Sequence, residues 1–251
     1  MLDWTRPRHT KVMRILRMMN PGFLMDARCF FGGGTRIVME LGEYRRSDDI
    51  DFMVSDISGW RSIRSQITAQ SLGPLFGQEP KLAREVRADR YGIRTFVIME
   101  GEPIKLEIIH EGRHDLNGQT LPDWPVPVMG WESLMAQKLM ATADRGLDKR
   151  FHLRDLIDLA FMVASWGNEP FAEGMEMAEN AYGKSVRQGL VDALRMAVGN
   201  PAHWRTCLDA LDVNVEDNRL MQGLSALNAL CEHPIPQIPS DGIMATGRDC
   251  S

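Results

Sequence analysis

The segment from Phe30 to Phe52, FFGGGTRIVMELGEYRRSDDIDF, combines three consecutive glycines with two aspartates spaced one residue apart. A strand that ends in glycines and leads into a helix predicts an anion site, because the unpaired N–H groups of a helix N-terminus suit phosphate. The segment has neither the lysine of a Walker loop nor the spaced glycines of a dinucleotide fingerprint. The glycines alone are therefore weak evidence, and a simple tight turn is the alternative.

The two aspartates sharpen this interpretation. On a strand, residues i and i+2 lie on the same face, so Asp49 and Asp51 are predicted to share one face while Ile50 and Phe52 enter the core. Two neighbouring carboxylates repel each other unless a cation lies between them, and Mg²⁺ prefers oxygen ligands that it shares with substrate phosphates. Asp48 is read as a turn residue, and an edge strand with solvated acids is the alternative.

A third carboxylate comes from the later segment IKLEIIH. Strand alternation places Glu107 on the face opposite to Leu106 and Ile108. If this strand is a neighbour of the first, Glu107 joins Asp49 and Asp51 in one metal site. A cross-strand ion pair between Glu107 and an arginine is the alternative.

The elements that must position these residues follow from periodicity and turn signals. From residue 131 onward helical periodicity dominates, up to a loose tail at the end of the chain. The pattern predicts a mixed α/β (α+β) half over residues 1–128, a helical subdomain over 129–233 and a flexible tail over 234–251. In the first half, strands are predicted over 27–31, 50–54, 82–90, 93–100 and 104–110, and helices over 9–19, 35–41 and 57–71.

Composition excludes some partners. The chain has 251 residues and a net charge of −5, which disfavours indiscriminate nucleic-acid binding. Lys11, Arg14 and Arg17 recur at helical spacing and form either a solvated face or an RNA contact. No apolar run approaches the roughly 20 residues of a membrane span, and no secretory signal is evident, so we expect a cytoplasmic protein that does not bind membranes. The four cysteines show no zinc-like spacing.

The residues also match a known family. G-G-T, a short helix and R-R-S-x-D-I-D-F, with thirteen residues between Thr35 and Asp49, resemble nucleotidyltransferases of the DNA polymerase β type. WESLMAQKLMATADRG and LRDLIDLAF extend the resemblance to AbiEii-type nucleotidyltransferase toxins of type IV toxin–antitoxin systems. Lys138 stands in the first of these stretches, and Asp155 and Asp158 stand in the second. The family often has aspartate where this chain has Glu107.

The resemblance implies a mixed-sheet nucleotidyltransferase core followed by an all-helical C-terminal subdomain. It implies an NTP substrate and two Mg²⁺ ions. The metal ligands would be Asp49, Asp51 and Glu107, and the catalytic set would add Lys138 and Asp155. The NTP would be bound by Gly33, Gly34, Thr35, Arg46, Ser47, Lys138 and Asp158.

The function that follows is Mg²⁺-dependent transfer of a nucleotide from an NTP to an acceptor. The acceptor would be tRNA or a protein, and the protein would act as a monomeric toxin with a cognate antitoxin. Two alternatives stay open: a non-catalytic nucleotide-binding module of the same fold, and a nucleotidyltransferase that modifies a small molecule such as an antibiotic.

Overall fold

The computed structural model describes residues 4–231, which form two compact units. Among the described residues, the first unit contains 4–43 and Ser47–Leu134, and the second contains Tyr44–Arg46 and 135–231. The chain therefore contributes three residues to the second unit long before the rest of that unit follows. The predicted flexible tail, residues 234–251, lies outside the described residues, and the predicted domain bounds remain a prediction.

The first unit is built on a mixed sheet of seven strands. The strands are β1 (Cys29–Gly32), β2 (Ile50–Val54), β3 (Arg87–Ala88), β4 (Gly92–Met99), β5 (Glu102–His110), β6 (Gly118–Gln119) and β7 (Val128–Met129). Their order in the sheet is β3-β4-β5-β2-β1-β7-β6. The helices of this unit are α1 (Pro7–Met18), α2 (Pro21–Asp26), α3 (Gly33–Glu40) and α4 (Ile57–Ser65), and a 3₁₀ turn, Gly73–Leu75, follows α4.

Burial alternates along the two central strands. Ile50, Phe52 and Val54 of β2 are fully buried, whereas Asp51 is only partly buried. In β5, Leu106 is buried and its neighbours on either side are partly exposed. These patterns confirm the predicted faces: one side of the sheet carries the hydrophobic core, and the other side carries the acids.

The second unit is helical. Its elements are α5 (Trp131–Arg145), which begins in the first unit, α6 (Arg154–Trp166), α7 (Asn168–Tyr182), α8 (Ser185–Gly199), α9 (Pro201–Ala210), α10 (Arg219–Ala229) and a 3₁₀ turn, Lys149–Phe151. Helices α6 and α10 pack closely, because Gly223 places no side chain against the backbone of Ala160. A mixed sheet followed by helices confirms the predicted fold class.

Some predicted elements differ from the structure. The bounds of β2 are as predicted, but the helix predicted over 57–71 ends at Ser65. The strand predicted over 82–90 is reduced to β3, and Leu82 makes only an isolated bridge with Val97. Helix α2 is an additional element, because Pro21, a helix-stop signal in the sequence, instead occupies the first turn of a new helix that the Asn20 side chain caps.

The basic face of the first helix is partly paired within the first unit. Arg8 and Lys11 both form ion pairs with Glu102, and Arg14 pairs with Glu100. Arg14 and Arg17 are nevertheless exposed, in agreement with the predicted solvated face, and the RNA contact stays a prediction. None of the described helices is both long enough and apolar enough to span a membrane.

Candidate active site

The glycine turn and the second aspartate are in direct contact. Gly32 at the end of β1 lies opposite Asp51 of β2, and α3 begins at Gly33. Gly33 has a φ of +69°, and a Cβ at this position would lie 2.4 Å from Oδ2 of Asp51. Only glycine accepts both the left-handed backbone and so close a carboxylate. The structure thus brings the predicted phosphate turn and the predicted metal ligand together.

A row of residues crosses the acid face of the sheet. Strands β2 and β5 are parallel neighbours, with Asp51 opposite Glu107. Glu107 lies opposite Arg94 of β4, and Arg94 lies opposite Arg87 of β3. Residues directly opposite each other in neighbouring strands share a face, so this row runs from the glycine turn to the edge of the sheet.

Two cationic side chains stand among the acids. Arg94 Nε donates to Glu107 Oε1 at 2.9 Å, and Lys105 Nζ binds the other oxygen of Glu107. Lys105 Nζ also lies 3.7 Å from Oδ2 of Asp49, which is half-exposed. Burial alone would lower the pKa of Lys105, but Glu107, Asp49 and Asp51 outweigh it and raise the pKa.

These acids fit a hard cation by their chemistry, although the side chains do not enclose one. Among residues 4–231, no three His, Cys, Asp or Glu side chains converge as a ready metal cage. The ammonium of Lys105 instead supplies the positive charge that Asp49 and Glu107 require. Carboxylate oxygens are the ligands that Mg²⁺ prefers, so the donor set suits this metal once Lys105 moves aside.

Two hydroxyl groups lie beside the glycine turn. Thr35, the third residue of α3, is fully buried, and its Oγ1 lies 2.9 Å from Oγ of Ser47. Gly34 lies between Gly33 and Thr35 in the first turn of the same helix. Ser47 returns the chain to the first unit and is followed two residues later by Asp49. This arrangement groups the predicted NTP-binding residues of the first unit.

The remaining predicted site residues lie in the second unit, where three of them form a buried ionic network. Lys138 Nζ contacts Asp155 Oδ1 at 2.8 Å and Asp158 Oδ2 at 2.6 Å. Arg145 Nε also binds Asp155, at 2.8 Å. Lys138 is thus not an ordinary surface lysine, because only 7% of it is exposed.

Arg45 completes this network and was not predicted from the sequence. Its guanidinium makes a two-point contact with Asp158 at 2.6 and 2.8 Å, and the Tyr44 hydroxyl donates to the same carboxylate at 2.7 Å. Burial raises the pKa values of Asp155 and Asp158, but the neighbouring cations outweigh it and lower both. Three cationic groups, those of Arg45, Lys138 and Arg145, thus surround the two carboxylates.

Arg46 has a different environment. Its side chain is exposed, and Nη2 donates to the carbonyl of Ala210 at 3.2 Å, at the end of α9. The only sequence signal for Arg45 was its place in the pair Arg45-Arg46, which does not show which arginine turns inward. Likewise, the sequence shows Lys105 and Arg94 only as charged residues on predicted strands and does not indicate that both bind Glu107.

The mixed sheet, the glycine turn and the row of acids define a nucleotidyltransferase fold. A candidate nucleotidyltransferase from Helicobacter pylori is similar, with a TM-score of 0.51 and 19% identity over 91% of this chain and 93% of that chain. The Helicobacter pylori protein JHP933 gives a TM-score of 0.48 and 18% identity over 90% of this chain and 91% of that chain. No curated protein matches the sequence.

The family is defined by a match that covers most of the chain. The model of the nucleotidyl transferase AbiEii toxin family, of type IV toxin–antitoxin systems, matches residues 14–229. The chain therefore belongs to the AbiEii nucleotidyltransferase toxin family, as the resemblance in its motifs predicted.

The close approach of Gly33 and Asp51 is testable with Gly33→Ala. The added Cβ must displace the Asp51 carboxylate, so we expect nucleotidyl transfer to fall by at least about 100-fold. Gly101→Ala is the matched control, because Gly101 also has a positive φ, +82°, but has nothing within 4 Å of the new Cβ. Both variants should lose about 1–2 kcal/mol of stability from the strained backbone. A Gly33→Ala protein with full activity would contradict the assignment.

The buried network predicts a large cost for Asp158→Asn. The change leaves Arg45 and Lys138 buried without their shared anion, so urea unfolding should show a loss of about 3–5 kcal/mol. Asp192→Asn is the control, because Asp192 is partly exposed and its carboxylate pairs with Arg195 at 3.5 Å and accepts from Gln188 at 2.8 Å, both on the same helix. Exposed pairs of this kind contribute at most about 1 kcal/mol.

The lowered pKa of Asp158 determines the pH range in which the Asp158 carboxylate stabilises the fold. A carboxylate whose pKa is lowered by folding stabilises the protein above its unfolded pKa of about 3.9, and this stability is lost as the pH falls towards the folded value. The difference between wild type and Asp158→Asn should therefore be full at pH 7 and shrink below about pH 4. Equal differences at pH 7 and pH 3 would contradict the role of the charge.

Proposed function

We propose that the protein is a Mg²⁺-dependent nucleotidyltransferase that transfers a nucleotide from an NTP to an RNA end, as the toxin of a type IV toxin–antitoxin system. The observation that carries the proposal is the strand register that aligns Gly32, Asp51 and Glu107 across neighbouring strands, directly beside the start of α3. A phosphate-binding turn and a set of acids on one sheet face suit a metal–triphosphate substrate.

The nucleotide would bind at the start of α3. Gly33, Gly34 and Thr35 offer backbone N–H groups at a helix N-terminus, where the helix dipole favours anions. Ser47 would add a hydroxyl beside Thr35. Arg46, which is exposed, would supply a positive charge to the phosphates.

Two Mg²⁺ ions would be held by Asp49, Asp51 and Glu107. When bound, the metal supplies positive charge that polarises the α-phosphate and stabilises the leaving pyrophosphate. Lys105 and Arg94 occupy Glu107 until then, which limits the repulsion between the three carboxylates. Lys105 would turn from Glu107 to a phosphate oxygen as the substrate binds.

The transfer step exchanges the α–β phosphoanhydride bond of the NTP for a phosphodiester bond to the acceptor. The acceptor hydroxyl oxygen bonds to the α-phosphorus, the bond to the β-phosphate oxygen breaks, and pyrophosphate leaves with the electron pair. The hydroxyl proton would pass to Glu107 after it separates from Lys105. Within the second unit, Asp155 and Asp158 hold the ammonium of Lys138, and the contact of Lys138 with the phosphates stays what the family resemblance implies.

The acceptor surface that we propose lies along β3 and β4. Residues 81–94 contain five cationic and two acidic side chains, although the whole chain has a net charge of −5. Arg87 and Arg90 are exposed, and Tyr91, 58% exposed, offers a ring for base stacking. Because Arg87 and Arg94 continue the row that begins at the acids, an RNA strand on this edge would end at the metal site.

A cytoplasmic location, a monomeric state and a cognate antitoxin belong to the same proposal, and the family assignment supports the antitoxin. The alternatives of a non-catalytic binding module or an antibiotic nucleotidyltransferase are separated by the first experiment below.

The transfer assay combines the purified protein with Mg²⁺, total tRNA and each of the α-labelled NTPs in turn. We expect labelled RNA with the wild type and with Asp48→Asn, and none with the double variant Asp49→Asn and Asp51→Asn, whose circular dichroism should be unchanged. The outcome that would overturn the catalytic assignment is transfer by the folded double variant. If the label appears on protein or on an added aminoglycoside but not on RNA, that molecule is the acceptor instead of RNA.

The acceptor surface is tested with Arg87→Ala combined with Arg90→Ala. We expect a higher KM for RNA, an unchanged KM for the NTP and a salt dependence of RNA binding weaker by roughly 0.7 per lost phosphate contact. Arg14→Ala combined with Arg17→Ala is the charge-matched control on α1, where Arg14 already pairs with Glu100. A larger RNA effect for the α1 variant would place the acceptor there instead.

A further inference from the structure

His9 lies fully buried in the first turn of α1 and bridges two points of one loop. Its Nδ1 lies 2.7 Å from Oε1 of Glu43, and its Nε2 lies 2.9 Å from the backbone carbonyl oxygen of Ser47. We call this pair of hydrogen bonds the His9 clamp. No motif in the sequence drew attention to it.

Both partners of the ring are acceptors. A backbone carbonyl only accepts, so Nε2 must carry a proton. Glu43 already accepts from the backbone N–H and the hydroxyl of Thr5 and from the backbone N–H of Arg6. Burial acts to raise the pKa of Glu43, but these hydrogen bonds together with that of His9 outweigh it and lower the pKa. The carboxylate is therefore ionised, and Nδ1 must donate as well.

The ring that satisfies this geometry is the doubly protonated imidazolium. A neutral ring would direct a lone pair at either Glu43 or the Ser47 carbonyl, and neither has a proton to offer. Arg6 also lies at the clamp, and its guanidinium donates to the Glu43 carbonyl at 3.3 Å. The cation on His9 is thus paired with the Glu43 anion inside the first unit.

Glu43 and Ser47, the two residues that His9 contacts, flank a short segment of the second unit. The chain leaves the first unit after Glu43 and returns to it at Ser47, and the three residues between them belong to the second unit. Glu43 takes a left-handed backbone, with φ +58°, and its N–H closes the end of α3 on Val38. Ser47 contacts Thr35 through its side chain. The His9 clamp therefore contacts the residues on both sides of segment 44–46.

We propose that His9 is a positioning residue for the candidate active site. Through Nε2 it fixes Ser47 against Thr35, and through the chain it fixes Asp49 and the start of β2. The inference rests on the proposed function, because Ser47 and Asp49 take their nucleotide and metal roles from it.

Two substitutions separate the halves of the clamp. His9→Gln places an amide nitrogen near the position of Nε2 and keeps the bond to Ser47, whereas His9→Asn places it near Nδ1 and keeps the bond to Glu43. We expect kcat to fall by about 10- to 100-fold in His9→Asn and by less than about threefold in His9→Gln, because small displacements of reacting groups have effects of this size. The KM for RNA should be unchanged in both.

Hydrogen exchange tests whether His9 holds residues 47–51 in place, and it does so without relying on turnover. Amides of residues 47–51 should exchange faster in His9→Asn than in His9→Gln, with equal exchange elsewhere. If the wild type transfers no nucleotide, the proposed function fails, and this comparison still tests the clamp. Equal exchange at residues 47–51 in the two variants, with activities that follow the folded fraction alone, would overturn the inference.

Discussion

The Asp51 carboxylate packs so closely against the backbone of Gly33 that only a hydrogen atom fits on that Cα, and the candidate site depends on this approach. The approach is set by the antiparallel register of β1 and β2. Phe31 and Phe52 lie directly opposite each other on the buried face, with ring centroids 5.5 Å apart. A slip by one residue would bury Asp51 and expose Phe52, so the hydrophobic core fixes the geometry of the polar face.

Charge is handled differently in the two units. On the sheet, Lys105 and Arg94 neutralise acids that remain partly accessible, which suits groups that must exchange partners when a metal and a nucleotide bind. In the helical unit, Asp158 is fully buried and held by Arg45 and Lys138. A buried network of this kind fixes one arrangement of side chains, because any single missing partner leaves an uncompensated charge.

The segment between α3 and β2 contains residues that are held in the helical unit and residues that are held in the sheet unit. Arg45 turns into the network of the helical unit, while Glu43 and Ser47 are held by His9 in the sheet unit. Five consecutive residues thus have their positions set by groups that are distant in sequence. This explains why the stretch has no helical or strand periodicity, although almost every side chain in it has a defined partner.

The sequence by itself determined the mixed sheet followed by helices, the two faces of β2 and β5, and the motif residues that mark the family, because periodicity and spacing are local properties. By resemblance it also predicts site roles for Lys138, Asp155 and Asp158. Only the tertiary structure decided that β2 and β5 are neighbours, that Arg45 rather than Arg46 turns inward, and that His9 joins Glu43 to Ser47. Such contacts join residues far apart in the chain, and the folding of the backbone, not local pattern, brings them together.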